Sequence, residues 1–216
     1  MTKNLSRRQL GIALNTYLLV IAAALIVGIG FGWLSNSSQS EIANATVLPE
    51  SRPLPHFELQ GSDGNRITPS SLKGAWTWVF YGFTHCPDVC PGTLTALRDS
   101  LPLIEGEQPN VLFVSLDPER DTASKLKDYV EWFNPSFKAA TGSVAELSTA
   151  AKAMGIAWQK VPSSNSDNYM IDHTSWVILL NPAGQIQAWF APPHLPTEMA
   201  ADFTLIRDNH QPGPNK

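Results

Sequence analysis

Hydrophobic and polar positions divide the chain into one long apolar run and a series of short ones. Leu10 to Leu34 contains no charged residue. At about 1.5 Å per residue, a helix of that length crosses a hydrocarbon layer of roughly 30 Å with some tilt. The pattern predicts a transmembrane helix over 10–34, preceded by a cytoplasmic segment over 1–9 and followed by a Ser-, Asn-, Gln- and Ala-rich linker over 35–48. A folded domain follows over 49–210, with a short tail over 211–216. Within it, His56 to Leu59 alternates, Gly61 to Asn65 is a turn cluster and Arg66 to Thr68 resumes, which predicts a hairpin. Trp76–Phe83 and Val111–Leu116 are continuous apolar runs, too short for most helices, and predict strands covered on both faces. Apolar spacing predicts helices over Thr93–Arg98, limited by Pro102, and over Thr122–Phe133. Ser143 and Glu146 have capping-box spacing for a helix ending at Gly155. A polar loop over Pro162–Asn168 precedes a second hairpin, Trp176–Leu180 with Gln185–Phe190, turning at Asn181 to Gly184, and a helix over Thr197–Asp208 closes the domain.

The order is hairpin, β, α, β, α, α, hairpin, α, with a cysteine-bearing turn between the first buried strand and its helix. That is an α/β, thioredoxin-like arrangement. Charge orients it: Lys3, Arg7 and Arg8 precede the apolar run, while Ser35 to Glu50 carries only Glu41 and Glu50. The positive-inside rule then leaves the N-terminus in the cytoplasm and the domain outside, on the periplasmic face of a bacterial plasma membrane. Ala43-Asn44-Ala45 has the form of a signal-cleavage site, but the usual apolar core of about 7 to 15 residues is shorter than this run. An uncleaved anchor is the expectation. The paired arginines before the run suit a twin-arginine signal as well, yet the positive-inside rule accounts for them. A net charge of -4 and a pI near 5.7, with no Lys/Arg cluster in the domain, exclude a phosphate-coating surface and hence nucleic acid as a partner.

Candidate chemistry centres on the two cysteines, Cys86 and Cys90, four residues apart. In an oxidising compartment such a pair forms a disulfide unless the thiols are protected or used. At the start of a helix, four-residue spacing sets Cα atoms roughly 6 Å apart, within reach of a disulfide. The same spacing stacks both sulfurs on one face, where they can grip one ion. Two thiolates suit Cu(I) or zinc, and a stable site needs a further ligand. Five histidines are available: His56, His85, His173, His194 and His210. His85 adjoins Cys86, and neighbouring side chains diverge; His56 lies in the first hairpin, His194 in a Pro-rich loop and His210 near the tail. His173 stands at the mouth of a strand after a polar loop that can fold over the cysteine turn. Trp158, Trp176 and Trp189 lie in strand-like segments and are expected in the core. Asp117 and Arg120 are read as a surface ion pair.

The block Tyr81-Gly82-Phe83-Thr84-His85-Cys86-Pro87-Asp88-Val89-Cys90-Pro91 resembles the Sco/SenC family. So do Ser115 to Thr122, Asp172-His173-Thr174 and Asn181-Pro182-Ala183-Gly184, in the same order. Gly92 and Ala123-Ser124 depart from the family's form, and none of them is a proposed ligand. The resemblance implies a thioredoxin-like fold, membrane anchoring and copper, Cu(I) or Cu(II), held by Cys86, Cys90 and His173. It also implies a part in assembling the copper A centre of cytochrome c oxidase, with a copper-receiving oxidase subunit or another copper carrier as partner. Asp172 is a candidate to orient a ligand from behind. The alternative function is a thiol-disulfide reductase using Cys86 and Cys90 as a redox-active disulfide, or a redox or copper sensor; dithiol exchange has no need of His173.

Overall fold

The computed structural model describes residues 42–162 and 169–210, together with Val20, Ile21 and Ala24. The expected cytoplasmic segment, the remainder of the 10–34 anchor, the linker up to residue 41, residues 163–168 of the polar loop and the tail lie outside the described residues. Among the described residues no helix is long and apolar enough to cross a membrane.

In chain order the elements are β1 (Ala45–Pro53), β2 (Leu59–Gly61), β3 (Arg66–Ile67), β4 (Thr77–Gly82), α1 (Val89–Ser100), β5 (Asn110–Ser115), α2 (Ala123–Phe133), β6 (Lys138–Thr141), α3 (Val144–Ala153), β7 (Trp158–Val161), β8 (Met170–His173), β9 (Val177–Leu180), β10 (Gln185–Phe190) and α4 (Pro196–Asp208). A 3-10 turn at Leu101–Leu103 follows α1 and contains Pro102. Eight strands form one sheet in the order β1-β10-β9-β4-β5-β6-β2-β3, while β7 and β8 form a separate two-stranded sheet.

The sheet is organised around β4, every residue of which is buried. β5 runs parallel to it from Thr77↔Asn110 to Gly82↔Ser115, and β9 runs antiparallel on its other side. A strand hydrogen-bonded on both edges and covered on both faces needs apolar side chains throughout, which is what Thr-Trp-Val-Phe-Tyr-Gly supplies. Trp78 meets Phe190 and Phe203 edge-on, at ring separations of 6.2 and 5.5 Å, locking α4 onto this centre. The β9–β10 hairpin closes as its sequence predicts: Asn181 Oδ1 accepts from the Ala183 and Gln185 amides, and Gly184 takes the positive φ of 74° that the turn requires.

Helix starts follow their caps. Thr122 and Ser143 accept the amides of Lys125 and Glu146. Glu146 does not reach back to Ser143; its carboxylate accepts the Glu58 amide at 2.9 Å, tying α3 to the entry of the first hairpin. α1 begins at Val89, earlier than the Thr93 start expected from apolar spacing.

β1 and the tryptophans also differ from expectation. β1 begins at Ala45, within the stretch read as a linker; it is an edge strand with two prolines and a break in register between Val47 and Arg52, so it shows no alternation. Its entry is held from α4, where buried Asp202 accepts the amides of Ala43, Asn44 and Ala45 at 2.7, 2.8 and 2.8 Å. Trp176 is exposed rather than core, and Trp158 and Trp189 are only partly buried, Trp189 donating to the Met154 carbonyl at 2.9 Å.

Candidate metal centre

The cysteine turn leaves the C-terminal end of β4. The Cys86 amide donates to the Phe83 carbonyl at 3.2 Å, so Cys86 lies before α1 and only Cys90 lies in its first turn. The expected stacking of both sulfurs on one helical face is therefore replaced by a tighter arrangement. The Cys86 side chain folds toward the helix start, and its Sγ accepts the Cys90 amide at 3.4 Å. Pro91 in the first helical turn costs little, because its missing N–H has no intrahelical partner there. Space for Cys90 comes from Gly82: a Cβ at that position would lie 2.7 Å from Cys90 Sγ and 2.9 Å from Phe113 Cε2.

The turn is fastened from the β5–α2 connection. Asp121 is fully buried and accepts the Thr84 amide at 2.9 Å, the Thr84 hydroxyl at 2.5 Å and the Ser115 hydroxyl at 2.6 Å, with Lys125 Nζ at 3.3 Å. A buried carboxylate needs such a set of donors. Asp117, also fully buried, pairs with Arg120 Nε at 2.5 Å, and the Arg120 side chain is itself only 17% exposed. The expected surface pair is thus an internal brace. His85, Asp117 and Asp121 have ligand atoms close together, but Lys125 already supplies the positive charge, 3.3 Å from Asp121 and 3.3 Å from His85 Nδ1.

The two cysteines are free and unequal. The Cys86 thiol is drawn down from 9.0 to about 5 by the hydrogen bond from the Cys90 side chain, helped by the Cys90 and Asp88 amides and by His173, against the opposing effect of burial. The Cys90 thiol is pushed up by that same hydrogen bond, by burial and by the charge on Cys86. The two thiols titrate as a coupled pair in which Cys86 is the more acidic.

His173 ends β8, and its Nε2 lies 3.8 Å from Cys90 Sγ. Its Nδ1 lies 3.1 Å from the Thr174 carbonyl, which can only accept, so Nδ1 donates there and Nε2 is the ring atom turned to the sulfur. The Phe80 and Phe83 rings flank it, each 6.3 Å away. Two sulfurs and one ring nitrogen therefore converge at the edge of a cleft of about 230 Å³ lined by Phe83, Cys86, Pro87, Val89, Met170 and His173. Asp172 is exposed, and the group behind the imidazole is the Thr174 carbonyl instead. His85 packs toward Asp121 and Lys125, His194 Nε2 donates to the Ser175 carbonyl at 2.9 Å, His210 lies against Trp76 and His56 is exposed. Among the described residues, His173 is the histidine whose ring nitrogen approaches a cysteine sulfur, at 3.8 Å.

A family model described as SCO1/SenC matches residues 47–206. The chain belongs to the SCO1/SenC family. It is 34% identical to the human mitochondrial protein SCO1 homolog over 153 residues, 68% of this chain and 50% of that protein, so it spans half the length of that relative. Two solved structures share the fold at higher coverage. ScoI of Bradyrhizobium japonicum, solved with copper bound, is 34% identical with a TM-score of 0.63, covering 70% of this chain and 98% of that one. Arabidopsis thaliana ScoI, also solved with copper bound, is 30% identical with a TM-score of 0.69, covering 73% and 99%. Sequence reasoning about this SCO1/SenC chain reached Cys86, Cys90 and His173 but gave no role to Gly82, Thr84 or Asp121. Asp121 stood inside the quoted Ser115–Thr122 block, and its burial has no mark in the sequence.

Proposed function

We propose that the chain is a copper-binding metallochaperone that holds the ion through Cys86, Cys90 and His173 and serves assembly of the copper A centre of cytochrome c oxidase. The observation that carries the reading is the 3.8 Å approach of His173 Nε2 to Cys90 Sγ, with the Cys86 thiol in the same cleft. Cys86, Cys90 and His173 would hold the ion, two sulfurs and one imidazole nitrogen being a donor set that would suit copper. Thiolates favour Cu(I) and imidazole also suits Cu(II), so one donor set serves both oxidation states. Loading releases the Cys90 proton, and oxidation of the pair to a disulfide removes the site. The relatives solved with copper bound support this reading.

The apolar run over 10–34 and the preceding cations support a membrane anchor with the domain on the periplasmic side of a bacterial plasma membrane, facing an oxidase subunit or another copper carrier. The test is oxidase assembly in cells lacking this chain. The full chain restores the copper A absorbance of the oxidase, whereas His173→Ala, present at equal level, does not; equal restoration by His173→Ala contradicts the proposal.

The low thiol pKa of Cys86 favours a second reading, reduction of a disulfide in the copper-receiving protein. In that reading His173→Ala keeps activity and Cys86→Ser loses it, so the same complementation separates the two.

A further inference from the structure

The turn from Asp117 to Asp121 touches both halves of the site through different carboxylates. At one end Asp121 binds Thr84, two residues before Cys86. At the other, Asp117 Oδ1 accepts the Tyr169 hydroxyl at 2.5 Å, and Tyr169 stands four residues before His173, next to β8. The Tyr169 ring lies beneath the Arg120 guanidinium at 3.6 Å, with Lys160 Nζ of β7 at 4.5 Å from the same ring. Lys160 also pairs with Glu119 at 2.6 Å.

This connection matters because β7 and β8 pair only with each other and not with the eight-stranded sheet. The strand that ends in His173 is therefore held by no backbone ladder from the main sheet. Ile171 anchors it in the core, Phe80 and Phe83 flank His173, Trp158 of β7 packs against the core, and side-chain contacts to the 117–121 turn add a further fastening. Of the contacts there, that between Lys160 and Glu119 joins groups 36% and 61% exposed, and such pairs contribute little; the Tyr169 hydroxyl also lies 3.4 Å from Glu119. Asp117 is fully buried, and a hydrogen bond to a buried carboxylate is stronger. Tyr169 also contributes its ring to Arg120, a stacking contact that gains from shelter.

We propose that Tyr169 is a positioning residue for His173: it clasps the β7–β8 hairpin to the turn that also anchors the cysteine loop, and so sets the separation between the imidazole and the thiol pair. The proposal deepens the copper reading, and its metal arm rests on that reading. Its structural arm does not.

The test compares the full-length protein with Tyr169→Phe, which keeps the ring beneath Arg120 and loses the hydroxyl, and with Tyr169→Ala, which loses both. Three readouts are taken: Cu(I) affinity by competition with a chromophoric chelator, the ring resonances of His173 in histidine-labelled metal-free protein, and the alkylation rate of Cys86. The expected result is a fall in Cu(I) affinity of about tenfold for Tyr169→Phe and more for Tyr169→Ala, as for other groups that orient metal ligands. The His173 resonances shift or broaden in the same order, while Cys86 reacts at the wild-type rate. Unchanged affinity and unchanged His173 resonances in both variants overturn the proposal, as does a change confined to Cys86 reactivity. If the wild-type chain takes up no Cu(I), the copper reading fails alone, and the His173 resonances still decide the clasp.

Discussion

Cys86 and Cys90 carry the same side chain with opposite shifts because the hydrogen bond between them lowers the Cys86 thiol and raises that of Cys90, which burial raises further. Cys86 is accordingly expected to be the first site of alkylation at pH 7, with a rate that falls as pH drops through about 5, read by mass spectrometry of the modified peptide. Preferential labelling of Cys90 contradicts this. The same shift links to stability. The thiol lowered from 9.0 to about 5 contributes stability that is lost as pH falls from about 9 through about 5, while the raised thiol of Cys90 removes stability as pH climbs above about 9, so the pair stabilises most near pH 9. Gly82 acts through space rather than charge. Gly82→Ala forces a methyl to 2.7 Å from Cys90 Sγ, so the variant is expected to lose about 1–3 kcal/mol in denaturant unfolding, as overpacked cores do. It also displaces the sulfur from His173. Wild-type stability with wild-type copper affinity would show that the close approach is not needed.

Elements differ in how much of their fate is local. β4, β5 and the β9–β10 hairpin were legible because burial on both faces, or a turn built from Asn181 and Gly184, leaves its own pattern in the sequence. β1 and β6 were not, since an edge strand with prolines and a four-residue strand take their conformation from the neighbours they pair with. The cysteine turn was legible through spacing, but the choice of His173 over four other histidines came from resemblance. Its strand belongs to a detached hairpin that no periodicity marks. Asp117 and Asp121 sit in a charged, Pro-containing turn that in sequence looks like surface; only the folded chain buries them. Asp202 is the same case in α4, one carboxylate taking three amides at the start of β1. Asp202→Ala is expected to cost about 3 kcal/mol, from amides that lose a charged acceptor, and to speed amide exchange at Ala43–Ala45 more than in β4. Exchange at those amides equal to the wild type's would remove Asp202 as the anchor of β1.

At the scale of the whole molecule, the site is an assembly of distant segments: the end of β4, the first turn of α1, the 117–121 turn and the β7–β8 hairpin. The parallel pairing of β4 with β5 puts Gly82 beside Ser115, which brings the cysteine turn next to the connection that carries Asp117 and Asp121. That juxtaposition lets one turn restrain both the thiols and the imidazole. The central claim is that these segments combine into one binding site for copper, and stoichiometric titration of the reduced full-length protein with Cu(I) tests it most directly. The account predicts about one tightly bound ion per chain, affinity reduced at least about tenfold by His173→Ala and tight binding abolished by Cys90→Ser. Binding of equal stoichiometry and affinity in all three proteins would contradict it.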